Sequence, residues 1–177
     1  GRARALQGKS GENFAGELRA RVLPLAPQPL GEASITLSGV DPAAWVAGAP
    51  TANLDLLAEL RPAGVGGIAG DGAAALAGRL TLRNRLAGAV DRQRLPLESL
   101  RADLRLNGEV LQLSAVDAAL AGGGRLRGGG ALRDGELALD LSASALDALA
   151  LHGGLRRTQL GGPLRARLGA HRQSLDL

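Results

Sequence analysis

Apolar and polar residues alternate along most of the chain with a period of two, the mark of strands that bury one face. Leu80 and Leu82 alternate with Arg79, Thr81 and Arg83. Leu100, Ala102, Leu104 and Leu106 alternate with Arg101, Asp103, Arg105 and Asn107. Leu111 and Leu113 interleave with Val110 and Gln112, and Leu137, Leu139 and Leu141 with Ala138, Asp140 and Ser142. Shorter runs read the same way: Leu18, Ala20 and Val22, then Ile35 and Leu37, then Leu164, Ala166 and Leu168, and last Leu175 and Leu177. Turn chemistry separates the runs. Asn107-Gly108 and Asp134-Gly135 suit tight hairpins whose two central residues take positive φ. The glycine clusters at 122–124 and 128–130 read as further turns, flanking a short Arg-Leu-Arg strand that holds Leu126. The pattern predicts an all-β antiparallel meander of roughly ten to twelve strands, about 50–60 Å across at ~4.8 Å per strand. One face is aliphatic; the other carries Arg, Asp, Ser and Thr.

Two stretches break the alternation. From Val40 to Pro50 the prolines and Trp45 predict a loop with one helical turn starting at Pro42, capped by Asp41. From Ser144 to Leu151, ahead of Gly153-Gly154, cap-forming residues predict one or two further helical turns. Neither break reads as a domain boundary.

Composition sharpens this picture. The 177 residues are 45% hydrophobic and 21% charged, a globular balance, yet 27 are glycine and the aromatics are only Phe14 and Trp45. Compact sandwiches fill their interior with rings that each bury about 150–250 Å². Here the apolar mass is Leu, Ala and Val, which predicts a thin core or aliphatic layers. Without cysteine, neither a disulfide framework nor thiolate chemistry is available. No stretch approaches the ~18 apolar residues that span a bilayer as a helix. The start, GRARALQGKSGENF, has no Met and no apolar signal-peptide core. We therefore read residues 1–177 as one β-rich segment of a longer protein.

Candidate chemistry is sparse. GVGGIAG at 64–70 follows Pro62 and lacks the strand-then-helix context of a dinucleotide fingerprint, so a loop is the better reading. AGGGRLRGGG lacks the Lys-Ser/Thr ending of a phosphate loop. His152 and His171 have no second ligand at metal-binding spacing. Ser142, Ser144, Asp147 and His152 hold the letters of a triad, but not the strained Gly-x-Ser-x-Gly turn that exposes a nucleophile. These absences argue against an enzyme, a cofactor and a metal. The sequence pI is about 11.1. Yet the arginines are spread along many strands among Asp and Glu, with no aromatic platform for bases, so nucleic acid is not the expected partner.

The aliphatic face remains. Leu80, Leu82, Leu100, Leu104, Leu106, Leu111, Leu113, Leu126, Leu137, Leu139 and Leu141 should line it. Fully burying one leucine stabilises by about 1.5–3 kcal/mol, so a dozen must be covered by something. The sheet can close on itself, pack on a second sheet, or stay open and curl into a trough.

The stretches LSGVDPAAWVAGAP, GRLTLRNRLAGAVDRQRLPLESLRADL and LSASALDALALHGGLRRTQLGGPLRARL resemble the TamB family of translocation and assembly module subunits, related more distantly to AsmA-like proteins. The most specific matches are Asn84, Ala87-Gly88, Asp91 and Arg94-Leu95-Pro96-Leu97, then Leu146-Asp147 leading to Gly162-Pro163-Leu164. The resemblance spans residues 30–177. It implies an elongated, curled antiparallel sheet with a hydrophobic trough, a β-taco. It also implies a place in the periplasm of a Gram-negative bacterium, in a protein anchored in the inner membrane. The implied partners are phospholipid acyl chains passing between the membranes, a TamA-like outer-membrane barrel met through another region, and outer-membrane protein clients. The implied alternative to lipid transport is chaperone-like assistance in assembling barrels or autotransporters.

Overall fold

In a computed structural model the chain is described over residues 15–22, 30–63, 76–169 and 173–176. Those residues form ten strands: β1 (Ala15–Val22), β2 (Leu30–Val40), β3 (Leu54–Pro62), β4 (Leu76–Asn84), β5 (Leu97–Asn107), β6 (Val110–Leu120), β7 (Arg125–Arg133), β8 (Glu136–Leu146), β9 (Leu160–Leu168) and β10 (Gln173–Asp176). Each strand pairs antiparallel with the next, in one sheet ordered as in the sequence. The sheet is curled and unclosed. Among the described residues helical structure is confined to 3-10 turns at Pro42–Ala44, Val90–Arg92 and Ala121–Gly123 and to one helix, α1 (Ala148–Leu151). Among the described residues no helix is long and apolar enough to cross a membrane. The expected loop at 64–70, the chain start and His171 lie outside the described residues.

Period-2 alternation became strand wherever it was clean, and tertiary structure moved three local details. The cluster at 128–130 is not a turn but the middle of β7. A Cβ on Gly128 would collide with the carbonyl oxygen of Asp140, and one on Gly130 with that of Ala138, so glycine permits a close strand approach there. The Asp134-Gly135 hairpin has both central residues at positive φ, 52° and 75°, as expected. The first hairpin is shifted by one residue: Asn107 pairs with Val110, and only Gly108 of its two central residues is left-handed, at 55°. That register puts Leu106 opposite Leu111 and Leu104 opposite Leu113, so the hydrophobic pattern overrode the turn preference. Ser144 to Leu146 remain in β8; the helix begins only at Ala148, capped by Asp147, whereas the Asp41 cap and the turn at Pro42 form as expected.

β3 escapes the period-2 reading because Leu56 and Leu57 are adjacent. Leu56 pairs between Leu37 and Leu82, while Leu57 turns to the exposed side.

Three strands carry one recurring irregularity. Ser38-Gly39-Val40 in β2, Ser114-Ala115-Val116 in β6 and Ser144-Ala145-Leu146 in β8 each contain a bulge whose central residue has φ of 73°, 48° and 51°. The extra residue returns the next aliphatic side chain to the apolar face and sharpens the local twist, which bends the sheet. The signal lies in the sequence as Leu-Ser-Gly-Val-Asp, Leu-Ser-Ala-Val-Asp and Ala-Ser-Ala-Leu-Asp, ending at Asp41, Asp117 and Asp147.

Candidate functional site: an open aliphatic face and its clasped rim

Strand register assembles the apolar face into four rows that run across the sheet. One row contains Leu80, Ala102, Val116, Gly128, Leu141 and Leu164. Beside it lie Leu82, Leu100, Ala118, Leu126 and Ala143. On the other flank Leu104, Leu113, Gly130, Leu139 and Ala166 align, followed by Leu76, Leu106, Leu111, Leu132, Leu137 and Leu168. Strand register places the eleven leucines that the sequence singles out on the same face of the sheet. Ile35, Leu37, Leu56 and Leu60 extend it through β2 and β3: Leu37 pairs with Leu56 and Leu56 with Leu82, Ile35 reaches Leu80 through Ala58, and Leu60 reaches Leu104 through Gly78.

Burial along these rows is shallow. No described side chain falls below 2% exposure, and six of the ten buried apolar residues are alanines. Leu104 at 8% and Leu141 at 7% are the only buried ones among the eleven leucines; the other nine are half-buried. Packing is densest around Ala102, Val116 and Leu141, with Leu100, Leu113, Leu126, Leu139 and Leu164 against them. The leucines shield one another sideways, and among the described residues no second layer lies over them. A closed sandwich would have buried the central leucines outright.

The opposite face is ionic. Asp103 meets Arg79 at 3.4 Å, Asp117 meets Arg127 at 3.4 Å and Arg125 at 3.7 Å, and Asp140 meets Arg165 at 3.5 Å. These pairs are largely exposed and each contributes about 0–1 kcal/mol, so their main effect is on register and on which face meets water.

At one end of the sheet, three of the four strand connections are long and clasped by the same device. Asp41, Asn84 and Asp147 each stand at the end of an even-numbered strand. Each accepts a hydrogen bond from the backbone N–H two residues on: Ala43 at 3.1 Å, Leu86 at 3.0 Å and Leu149 at 3.1 Å. Each also engages the backbone eleven residues on. Asp41 accepts from Ala52 N–H at 3.0 Å, Asp147 from Thr158 N–H at 3.1 Å, and Asn84 donates to the Leu95 carbonyl at 3.2 Å. Asn84 is buried, and it also accepts from Asn53 N–H at 3.1 Å and donates to the Leu97 carbonyl at 2.9 Å. Aspartate and asparagine suit this place because a short polar side chain reaches the backbone of its own turn.

The clasped connections also hold one another. Thr51 N–H and its hydroxyl donate to the Gln93 carbonyl at 2.7 and 2.8 Å, and Leu95 N–H donates to the Thr51 carbonyl at 3.2 Å. Ala121 N–H donates to the Pro96 carbonyl at 2.8 Å. The backbone N–H of Gly153 holds the Asp91 carboxyl below the ordinary 3.8, helped by His152 and Arg92 and opposed by desolvation. At the opposite end, the two described connections are the two-residue hairpins at Gly108 and at Asp134-Gly135.

The candidate triad letters serve this architecture. Asp147 is taken up by Leu149, Thr158 and Arg157, and His152 Nδ1 accepts from Gly154 N–H. Among the described residues no three His, Asp or Glu side chains group to hold a metal ion.

The residues that carry the family resemblance thus have visible structural roles: Asn84, Leu95 and Leu97 form one clasp and Asp147 another. No family model, curated protein or solved structure matches the chain.

Proposed function

We propose that the chain is a periplasmic segment of an envelope-spanning bridge, similar to the TamB family, whose trough passes phospholipid acyl chains between the inner and outer membranes. The observation that carries this reading is the four-row aliphatic face, which the sheet leaves open along its length. Ten strands at ~4.8 Å give about 43 Å of trough, against about 15 Å for the hydrocarbon of one leaflet. Several acyl chains therefore fit in file. The leucine rows solvate tails while head groups stay in water, and no bond is made or broken. A TamA-like barrel would be met by another region of the longer protein.

The test is mass spectrometry of lipid bound to the chain after purification from a Gram-negative envelope. Phospholipid should accompany the parent and be lost from Leu106→Arg. A folded parent that carries no lipid would overturn the proposal.

A second reading comes from the sheet's ends. Among the described residues β1 and β10 each have one neighbour, so each offers a free edge to an incoming strand. Crosslinks from β10 backbone positions to nascent barrel strands would favour a chaperone-like assembly factor.

A further inference from the structure

The clasped rim exposes large apolar side chains at its tips. Trp45 is 63% exposed, Val46 60%, Val90 52% and Leu155 53%; Leu86 and Leu149 lie beside them. They belong to the connections after β2, β4 and β8. Those connections are joined by the hydrogen bonds of Thr51 with Gln93 and by the packing of the Asp91 carboxylate against Gly153, so the tips share one surface. Monomeric surfaces rarely gather so much apolar area without a partner for it.

We propose that this rim docks on the surface of an anionic lipid bilayer. Charge is the first argument. Residues 41–53, 85–96, 121–124 and 147–159 carry five arginines against Asp41, Asp91 and Asp147, a net charge of +2 by count. Arg85 and Arg157 are ion-paired and Arg92 lies in the field of Asp91, whereas Arg94 and Arg156 have no acidic partner among the described residues. Two copies docked by this rim would bring like charges together, while an anionic bilayer attracts them.

Backbone chemistry is the second argument. A loop entering the bilayer interface must have its polar backbone satisfied. The Asx clasps bond the backbones of these connections internally, so their tips can leave water at little cost. Shape is the third. The tips are spread over six strand intervals, up to roughly 29 Å at ~4.8 Å each, which suits a broad surface more than a single pocket. Trp45 between them has the apolar ring and polar N–H that settle at such interfaces.

The probe is built in, because Trp45 is the only tryptophan. The chain is mixed with phosphatidylcholine vesicles and with equimolar phosphatidylcholine–phosphatidylglycerol vesicles. Cosedimentation and a blue shift of Trp45 emission should appear with the anionic vesicles and weaken with salt. Arg92→Gln with Arg156→Gln should weaken that binding by roughly twenty-fivefold, about fivefold per cation. Val46→Asp with Val90→Asp should weaken it by more than about tenfold. Both pairs are exposed, and circular dichroism should match the parent. Leu106→Arg, which disables the trough, should leave rim binding intact, so the two proposals fail separately. Binding that survives both rim pairs would overturn the proposal, as would no binding at all. Self-association in sedimentation velocity, abolished by the valine pair without any vesicle binding, would assign the rim to a second copy instead.

Discussion

The carboxylate of Asp91, between β4 and β5, lies against the backbone of Gly153, between β8 and β9, so two connections four strands apart meet over the rim. A Cβ on Gly153 would sit 2.8 Å from Asp91 Oδ2, so a side chain there would push the carboxylate aside. The rim is therefore a braced unit and not a row of independent loops.

That contact sets a pH dependence. Gly153 N–H lowers the Asp91 pKa first, with His152 and Arg92 adding to it. A carboxylate depressed in the folded state favours folding above its unfolded value and loses that contribution as pH falls through the lower folded value. The contact should hold at neutral pH and through the ordinary carboxylate range. The Gly153 amide resonance, followed by NMR, should titrate with a midpoint below 3.8, and Asp91→Asn should abolish the transition. A midpoint above 3.8 would contradict the geometry.

Asn84→Ala should be among the costliest polar substitutions in the chain. It removes two acceptor and two donor contacts of a buried side chain, to Asn53, Leu86, Leu95 and Leu97. Buried backbone groups left unpaired cost about 1–3 kcal/mol each, so a loss of roughly 2–4 kcal/mol is expected in urea unfolding. Asn84→Asp should not rescue the loss, because it keeps the acceptor contacts to Asn53 and Leu86 but sets a carboxylate oxygen against the Leu95 and Leu97 carbonyls.

Gly78→Ala tests the curl. An added Cβ would run into the backbone carbonyl of Glu59 on β3, and a neighbouring strand cannot yield as a flexible side chain can. Overpacking of this kind costs about 1–3 kcal/mol or more. Gly108→Ala meets no atom within 4 Å and is penalised only for its positive φ, about 1 kcal/mol. Thermal unfolding should rank Gly78→Ala well below Gly108→Ala.

Two neighbours on the apolar face should part company. Leu104 is buried between Gly78 and Leu113, so Leu104→Glu strands a charge at a cost of several kcal/mol, a large part of a domain's ~5–15 kcal/mol. Leu106 is half-buried near a hairpin, and an arginine there can extend its stem along the face and reach water. Leu106→Arg should fold and lose lipid crosslinking; Leu104→Glu should lose folded protein. The control, Arg105→Glu, changes charge on the opposite face and should leave both nearly unchanged. Equal folding of the two leucine variants would mean that the site of Leu104 is wet.

Strand alternation was written in the sequence. Leu100 through Asn107 and Leu137 through Ser142 alternate strictly, and local sterics plus the need to bury one face admit only a half-buried strand there. The same periodicity sets Leu100, Leu104 and Leu106, and likewise Leu137, Leu139 and Leu141, on one side of their strands. β3 was hidden because Leu56 and Leu57 stand together, and period-2 reading cannot tell which turns inward until β2 and β4 pair with it. The glycines at 128–130 had the composition of a turn, and only the nearness of the β8 carbonyls made them a strand interior.

Tertiary structure alone decided the openness of the aliphatic face and the bracing of the rim. Whether the face closed depended on how ten strands curl together, and that curl comes from bulges and glycine contacts between strands. The rim is the clearest case. Asp41, Asn84 and Asp147 were readable as turn formers, because a short polar side chain bonds its own turn locally. Their reach to a backbone group eleven residues on, and the meeting of Asp91 with Gly153, depend on where paired strands deliver the chain ends. No local pattern encodes that distance, so the sequence determined the face and the fold determined the rim.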